Sequence, residues 1–199
     1  PAYDARTAKR PLTLGSFNTL AKLTPCTLKL WARVLQALPQ ARLVLKAPSF
    51  SDAGAKQWVG ERLSDLGVDL ARVEFRGPVG LTKMMAEYAD IDIALDPVPY
   101  NGGTTSLQAM WMGVPVLTQS GGHFVSRMGA SFMTAAGLSE WVAKDDDDYV
   151  AMAQKMAKDR KALLKLKQGL RERLKALPAW DVVAHTRAFE KALKTPWAI

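Results

Sequence analysis

The chain has 199 residues, of which 48% are hydrophobic and 23% are charged, a balance typical of a folded globular domain and not of a disordered or fibrous chain. Its net charge of +8 would suit a polyanionic partner, but residues 1–150 are neutral overall and the whole excess lies in residues 151–199. Because no apolar run is long enough for a membrane span and the single Cys26 excludes an internal disulfide, we expect a cytoplasmic protein without a membrane partner. Because its basic residues are not interleaved with aromatic ones, we expect no nucleic-acid partner.

Short β-rich runs alternate with helical patterns along the first part of the chain. Thr24 is predicted to cap the first helix, with Pro25 at its first position. In that helix Leu28, Trp31 and Leu35 recur at helical spacing, as an apolar stripe does. Strands that alternate with helices predict an α/β fold with a Rossmann-like, doubly wound parallel sheet. The predicted strands are 11–17, 41–45, 72–75, 91–95 and 114–118, and the predicted helices between them are 25–38, 51–66, 81–88 and 103–112.

After about residue 123 the pattern becomes mostly helical and carries the excess positive charge. The predicted helices are 145–156, 160–174 and 180–193. The acidic run Asp145–Asp148 complements the start of the first of them, which is a better explanation than a cation site. The domain organisation that we predict is a linker at 1–11, one Rossmann-like domain at 12–177 and a C-terminal helix at 178–199.

The loop after the predicted strand 91–95 reads DPVPYNGGTT (residues 96–105) and runs directly into a helix. Its two glycines allow a ligand to approach the backbone, and Thr104 and Thr105 supply hydroxyls beside the free N–H groups of a helix start. Ligands bind outside the carboxyl ends of strands in such sheets, so we predict a phosphate site. The alternative is a plain turn with Thr104 as the N-cap. Neither G-x-G-x-x-G nor a P-loop pattern occurs, which argues against a nicotinamide dehydrogenase or a P-loop ATPase.

Three further positions have both a functional and an ordinary interpretation. Lys22 follows the first predicted strand, so it opens on the same sheet edge and would neutralise a diphosphate there, unless it is a solvated surface lysine. His123 follows the strand 114–118, where it would approach a sugar or phosphate or simply lie at the surface. Asp90 and Asp92 have the D-x-D spacing of some divalent-metal sites, but they flank or enter an apolar strand, and we predict no metal.

The string DPVPYNGGTTSLQAMWMGVPVLTQSG (96–121) resembles the C-terminal catalytic half of bacterial protein O-GlcNAc transferase-like (SPINDLY-type) glycosyltransferases. Segments 15–45, 72–79 and 126–132, and the final Trp197, are similar to that family in order and spacing. The resemblance implies the C-terminal domain of a GT-B fold, in which two Rossmann-like domains face a cleft. It also implies inverting, metal-independent transfer of N-acetylglucosamine from UDP-GlcNAc to Ser or Thr of proteins, with the UDP-sugar as a substrate and no cofactor.

The same resemblance implies roles for individual residues in the domain 12–177. Lys22 would contact the diphosphate and act as the catalytic residue by stabilising the departing UDP. The backbone at Gly80 would lie near the uracil. The residues implied to bind the UDP-sugar are Lys22, Gly80, Asn101, Gly103, Thr104, Thr105 and Gln108.

Two residues depart from the family pattern. Gln108 replaces an acidic residue that would accept hydrogen bonds from the ribose hydroxyls, at a cost of about 1–2 kcal/mol of binding. Met85 replaces a histidine. The family's N-terminal catalytic domain and its helical repeats for protein acceptors are not in this chain, so we expect nucleotide binding without turnover. The alternatives are a non-catalytic GT-B-derived interaction module with weakened or altered nucleotide binding and, on charge alone, a nucleic-acid-binding domain.

Overall fold

A computed structural model describes residues 10–195, and within them six parallel strands form one sheet in the order β3-β2-β1-β4-β5-β6. This is the strand order of a doubly wound Rossmann-like sheet, so the predicted fold class is confirmed. Most of the predicted linker 1–11, and Trp197, lie outside the described residues. The strands are β1 (Thr13–Ser16), β2 (Arg42–Lys46), β3 (Val73–Arg76), β4 (Ile93–Leu95), β5 (Val116–Gln119) and β6 (Val142–Ala143).

Eight α-helices accompany the sheet within the described residues, and those predicted from sequence begin and end within a residue or two of the predicted limits. Two elements were not predicted individually: β6, which has only two residues, and the helix α5. The helices are α1 (Pro25–Ala37), α2 (Ala53–Asp65), α3 (Leu81–Glu87), α4 (Thr104–Trp111), α5 (Met128–Ala135), α6 (Asp146–Lys158), α7 (Arg160–Lys175) and α8 (Val182–Lys194).

Helix α1 packs on the sheet through the stripe that its sequence predicts. The Thr24 hydroxyl caps it by accepting the Thr27 N–H at 3.2 Å. Below the cap, the stripe residues Leu28, Trp31 and Leu35 are fully buried. Burial of three large apolar side chains contributes about 1.5–3 kcal/mol each, so this stripe is a main source of stability in the half of the sheet that contains β1.

A buried ion cluster joins the start of β1, the start of β4 and helix α7. The Asp92 carboxylate accepts the backbone N–H of Thr13 at 2.9 Å and pairs with Lys167 and Arg10 at 3.0 Å and with Arg160 at 3.3 Å. A buried carboxylate is stable only when it is paired and hydrogen-bonded. Asp92 therefore fixes the two central strands to each other and to the C-terminal helices.

The sheet order reverses between β1 and β4, because the chain passes from β1 to β2 on one side and adds β4 on the other. Outside the carboxyl ends of these two strands lies the crevice in which ligands bind in such folds. The loops that follow β1 and β4 contain Lys22 and the segment 96–105. The topology thus places both predicted ligand segments at one point.

The last helix, α8, differs from the others because every one of its residues is exposed. The Asp181 carboxylate accepts the Ala184 N–H at 2.9 Å and caps the helix. Its apolar side chains Val182, Phe189 and Leu193 are at least 60% exposed. None of the helices in the described range 10–195 combines the length and apolar character that crossing a membrane requires.

Candidate ligand-binding site

Lys22 meets the loop after β4 directly. It ends the short 3-10 turn Leu20–Lys22 that follows β1, and its Nζ donates to the carbonyl oxygen of Asn101 at 2.7 Å. The ammonium also lies 4.1 Å from the centre of the Tyr100 ring. Burial lowers the pKa of Lys22, and the charge of the Asp96 carboxylate opposes that shift. The prediction that Lys22 shares an edge with this loop is therefore confirmed, and the lysine is held by partners.

The loop 96–103 is tied down by hydrogen bonds along its length. At its start, the buried Asp96 accepts the Gly102 N–H at 2.7 Å and the Thr118 hydroxyl at 2.6 Å. In its middle, Val98 exchanges two hydrogen bonds with Thr27 of α1, through its carbonyl at 2.6 Å and its N–H at 3.1 Å. A loop restrained at both places presents a defined backbone to a ligand and loses little conformational entropy on binding.

The Asn101 side chain forms hydrogen bonds inside this loop and to α5. It is fully buried, its Nδ2 donates to the Pro97 carbonyl at 3.0 Å, and its Oδ1 accepts the Gly129 N–H at 3.3 Å. The amide is thus occupied within the protein. Asn101 reaches the predicted site through its backbone carbonyl, which holds Lys22.

Helix α4 begins where the loop ends, with Gly103 as the N-cap and no side chain capping it. The first N–H groups of a helix have no partner within it and favour anions together with the helix dipole. Thr104 occupies the first helical position, so the alternative in which it is the N-cap is wrong. The Thr105 hydroxyl donates to Oδ1 of the buried Asn18, after β1, at 2.9 Å. The helix start is therefore fixed to the β1 loop, and it has the uncapped N–H groups that favour an anion.

A cavity of about 350 Å³ lies beside this helix start, within the size range of small-ligand pockets. Thr105 and Gln108 of α4 line one wall, and Pro78 and Val79, after β3, line another. Gly80 follows Val79 as the N-cap of α3 and faces open space, with no atom within 4 Å of the point that a Cβ would occupy. The structure thus brings the segment before Gly80, and Gln108, to one cavity.

The wall after β3 is fixed by a buried lysine. Lys46 donates to the Gly77 carbonyl at 2.7 Å and pairs with Glu87 of α3 at 2.8 Å. On the other side of Gln108 a second cavity of about 410 Å³ is lined by Met85, Thr104 and Trp111 among others. Gln108 therefore stands between the two cavities, with Met85 on one side.

The other predicted positions do not join this group. His123 is exposed in a turn, where its backbone N–H donates to the Ser126 hydroxyl at 3.0 Å. Asp90 pairs with Arg76 at 2.8 Å, whereas Asp92 belongs to the buried cluster of Arg10, Arg160 and Lys167 already described. The two carboxylates thus have separate partners. Among residues 10–195 no group of three or more His, Cys, Asp or Glu side chains is arranged to hold a metal ion.

Three residues that position the site were not identified from sequence. They are Asn18, which accepts from Thr105; Asp96, which holds the loop; and Tyr100, which lies against Lys22. Asp96 had a readable signal, because a carboxylate directly after a buried strand and directly before a glycine loop needs donors to be buried.

Comparisons with known proteins identify related sequences. The model of "Glycosyl transferase family 41" matches residues 8–189. A Hordeum vulgare protein named "Probable UDP-N-acetylglucosamine--peptide N-acetylglucosaminyltransferase SPINDLY" is 38% identical over 187 residues, which are 94% of this chain and 20% of that protein. The chain thus spans about a fifth of the length of the curated relatives first matched.

Solved structures show the same relationship. A mutant of the Thermobaculum terrenum O-GlcNAc transferase is 38% identical, with a TM-score of 0.87 over 92% of this chain and 35% of that one. The sucrose-phosphate synthase of Thermosynechococcus elongatus, at 18% identity, has a TM-score of 0.68 over 96% of this chain and 49% of that one. The second likeness supports the fold alone, and both agree with a Rossmann-like domain of the GT-B type.

Proposed function

This chain belongs to glycosyl transferase family 41, and from that membership we propose that it is the donor-binding half of a protein glycosyltransferase. Its substrate would be UDP-N-acetylglucosamine, and the reaction would be inverting, metal-independent transfer of the sugar to Ser or Thr of an acceptor protein. The relatives that carry such names are about five times longer. We therefore assign acceptor binding to regions outside this chain, and expect the chain alone to bind the donor without turning it over.

One observation carries the proposal: Lys22 and the start of α4 converge where the strand order reverses. The diphosphate would lie between the Lys22 ammonium and the N–H groups of Gly103, Thr104 and Thr105. Negative charge grows on UDP as the sugar leaves it, so fixed donors and a cation there would stabilise the transition state more than the ground state. Lys22 is the catalytic residue in this proposal.

The nucleoside would extend from the diphosphate past Gln108 towards the backbone at Gly80. The cavity of about 350 Å³ between these segments supports this placement. The restrained Lys46–Gly77 contact behind it would keep the wall in place for the base. The corresponding domain limits that we propose are 12–177 for UDP-sugar binding and 178–199 for the C-terminal helix, in a cytoplasmic protein.

Calorimetric titration of the 199-residue chain with UDP and UDP-N-acetylglucosamine tests this function. We expect both to bind, with the same affinity in the presence of a chelator, and UDP to bind more tightly than ADP. Absence of binding at about 1 mM nucleotide, which corresponds to less than about 4 kcal/mol of binding free energy, would contradict the proposal. An affinity that disappears with the chelator would contradict metal independence.

A non-catalytic interaction module of the same fold is the second candidate. Its support is the pair of replacements beside the cavities, Gln108 in place of an acid and Met85 in place of a histidine. A module of this kind, with weakened or altered nucleotide binding, would show no binding of UDP or the UDP-sugar at about 1 mM in the titration above, although its fold would be intact. The two functions therefore give opposite results in one experiment.

A further inference from the structure

The loop and the start of α4 close around a single buried carboxylate, that of Asp96. Asp96 follows β4 and is only 1% exposed. Its Oδ1 accepts the Gly102 N–H at 2.7 Å and the Ser106 hydroxyl at 3.2 Å, while its Oδ2 accepts the Thr118 hydroxyl of β5 at 2.6 Å. One oxygen thus bonds on both sides of the segment 103–105, and the other bonds to the sheet.

Two glycines show how closely the backbone approaches this carboxylate. A Cβ on Gly102 would lie 2.2 Å from the Ser106 hydroxyl oxygen and 2.9 Å from Oδ1 of Asp96. A Cβ on Gly129, in α5, would lie 2.4 Å from Oδ2. Real side chains do not tolerate such distances. The absence of side chains at these two positions is therefore required for the loop and α5 to pack on Asp96.

The arrangement has a consequence for the donors that face the crevice. The Gly102 N–H, which comes just before the N-cap, is used internally by Asp96. The next three N–H groups, those of residues 103–105, are the ones without an acceptor in the helix. Asn101, whose carbonyl holds Lys22, is covalently joined to Gly102. The bond between Asp96 and Gly102 therefore helps to fix both the Lys22 ammonium and the N–H groups of residues 103–105.

We propose that Asp96 is a positioning residue for the diphosphate and does not contact it. By holding Gly102 and Ser106, Asp96 brings Lys22 and the first N–H donors of α4 together. This role rests on the proposed function. Its hydrogen bonds are the main means, because they hold Gly102 and Ser106, and an amide in the same place would keep the same three partners. The Oδ1 of an asparagine would accept from Gly102 and Ser106, and its Nδ2 would donate to the Thr118 oxygen.

The environment of Asp96 disfavours its charge without removing it at neutral pH. Burial raises the pKa of Asp96 to about 6, against the opposing effects of its hydrogen bonds from Thr118, Gly102 and Ser106 and the charge of Lys22. Since a negative charge near a bound diphosphate is unfavourable, a carboxylate kept for its acceptor geometry is best placed deep behind the loop. That is where Asp96 lies.

Titration of the 199-residue chain with UDP and with uridine tests the proposal, because uridine lacks the phosphates. We expect Asp96→Ala to weaken UDP binding at least about 10-fold, with uridine affinity unchanged, and Asp96→Asn to keep UDP affinity within about 3-fold. The proposal is overturned if folded Asp96→Ala binds UDP as the unchanged chain does. It is also overturned if UDP and uridine affinities fall equally, which would indicate a merely structural role.

Two more variants keep the test decisive if Asp96→Ala does not fold. Gly102→Ala leaves the carboxylate in place but forces the loop away from it, so we expect the same selective loss of UDP affinity. Thr118→Ala removes the donor that holds Oδ2 of Asp96 on the sheet side, so we expect a lower free energy of unfolding and a selective loss of UDP affinity that is smaller than in Asp96→Ala. Unchanged UDP affinity in Gly102→Ala would overturn the proposal, whereas no UDP binding by the unchanged chain would contradict the proposed function itself.

Discussion

The Lys22 ammonium lies 4.1 Å from the centre of the Tyr100 ring. Lys22 belongs to the turn after β1, whereas Tyr100 belongs to the loop after β4, which begins 74 residues later in the chain. The same ammonium donates to the Asn101 carbonyl at 2.7 Å. A cation held by a carbonyl and an aromatic face is restrained before any ligand arrives. This restraint keeps the Lys22 charge at the loop after β4, and the first two predictions depend on it.

Removal of the Lys22 charge should weaken binding of UDP. A hydrogen bond to a charged group contributes about 1.5–3 kcal/mol, so we expect Lys22→Ala to reduce UDP affinity by about 10- to 100-fold in calorimetric titration. Lys29→Ala, on the exposed side of α1, is the matched control and should bind UDP normally. Equal affinities in the two variants would show that the diphosphate lies elsewhere.

Tyr100 should act on the ligand through Lys22. A cation–π contact contributes about 0.5–1 kcal/mol at a partly exposed site. We expect Tyr100→Ala to weaken UDP binding about 2- to 5-fold and Tyr100→Phe, which keeps the ring face, to retain it. In the Lys22→Ala background, Tyr100→Ala should have no further effect, which a double-mutant cycle measures. Additive effects in that cycle would contradict the coupling.

The hydroxyl at the start of α4 should also contribute to UDP binding. Thr104 lies at the first helical position and lines a cavity. Loss of one neutral hydrogen bond costs about 0.5–1.5 kcal/mol, so Thr104→Ala should bind UDP about 2- to 10-fold more weakly. Thr104→Ser is the control and should bind as the unchanged chain does. Normal affinity in both Thr104→Ala and Lys22→Ala would show that the whole diphosphate site is misplaced.

An acid at position 108 should strengthen nucleoside binding. Gln108 stands between the two cavities, and a carboxylate accepts hydrogen bonds from ribose hydroxyls more strongly than an amide does. We expect Gln108→Glu to bind UDP about 5- to 30-fold more tightly, by about 1–2 kcal/mol. Comparison with the 2′,3′-dideoxy analogue checks the cause, since the gain should vanish without those hydroxyls. A gain that persists with the analogue would place the ribose elsewhere.

Lys167 should make the stability of the fold depend on pH. Burial lowers the pKa of its ammonium to about 8 from a usual value of 10.5, against the opposing charge of Asp92. Between these values the unfolded chain binds more protons than the folded chain, so the contribution of Lys167 to the free energy of unfolding rises with pH across that window. Below about pH 8 the lysine is protonated in both states and the contribution is constant.

Urea denaturation of the unchanged chain and of Lys167→Met measures this effect. We expect the difference in free energy of unfolding to move in favour of the unchanged chain by about 1–3 kcal/mol between about pH 8 and about pH 10. Lys161→Met, at an exposed position of the same helix, should show no such trend. A difference for Lys167→Met that is constant with pH would contradict the lowered pKa.

The meeting of Lys22 with the loop after β4 could be predicted from sequence because it follows from topology. Parallel strands open their carboxyl ends on one edge, so the two loops had to be neighbours. The separation of Asp90 from Asp92 could not be predicted in the same way. The i, i+2 spacing puts two side chains on one face only within a strand, and Asp90 belongs to a 3-10 turn that precedes β4.

Other misses have comparable physical causes. Strand β6 has two residues, which is too short for an alternating pattern. The use of the Asn101 amide inside its own loop depends on α5, which no sequence pattern identified.

The ion cluster at Asp92 lies at the opposite end of the strands that carry the ligand loops. Strands β1 and β4 are joined there to each other and to α7, far from Gln108 and Met85. The partly exposed side chains that line the cavities therefore contribute little to holding the sheet together. Substitutions at such positions would leave the domain folded, so under the proposed function the choice of donor would change while the scaffold stays the same.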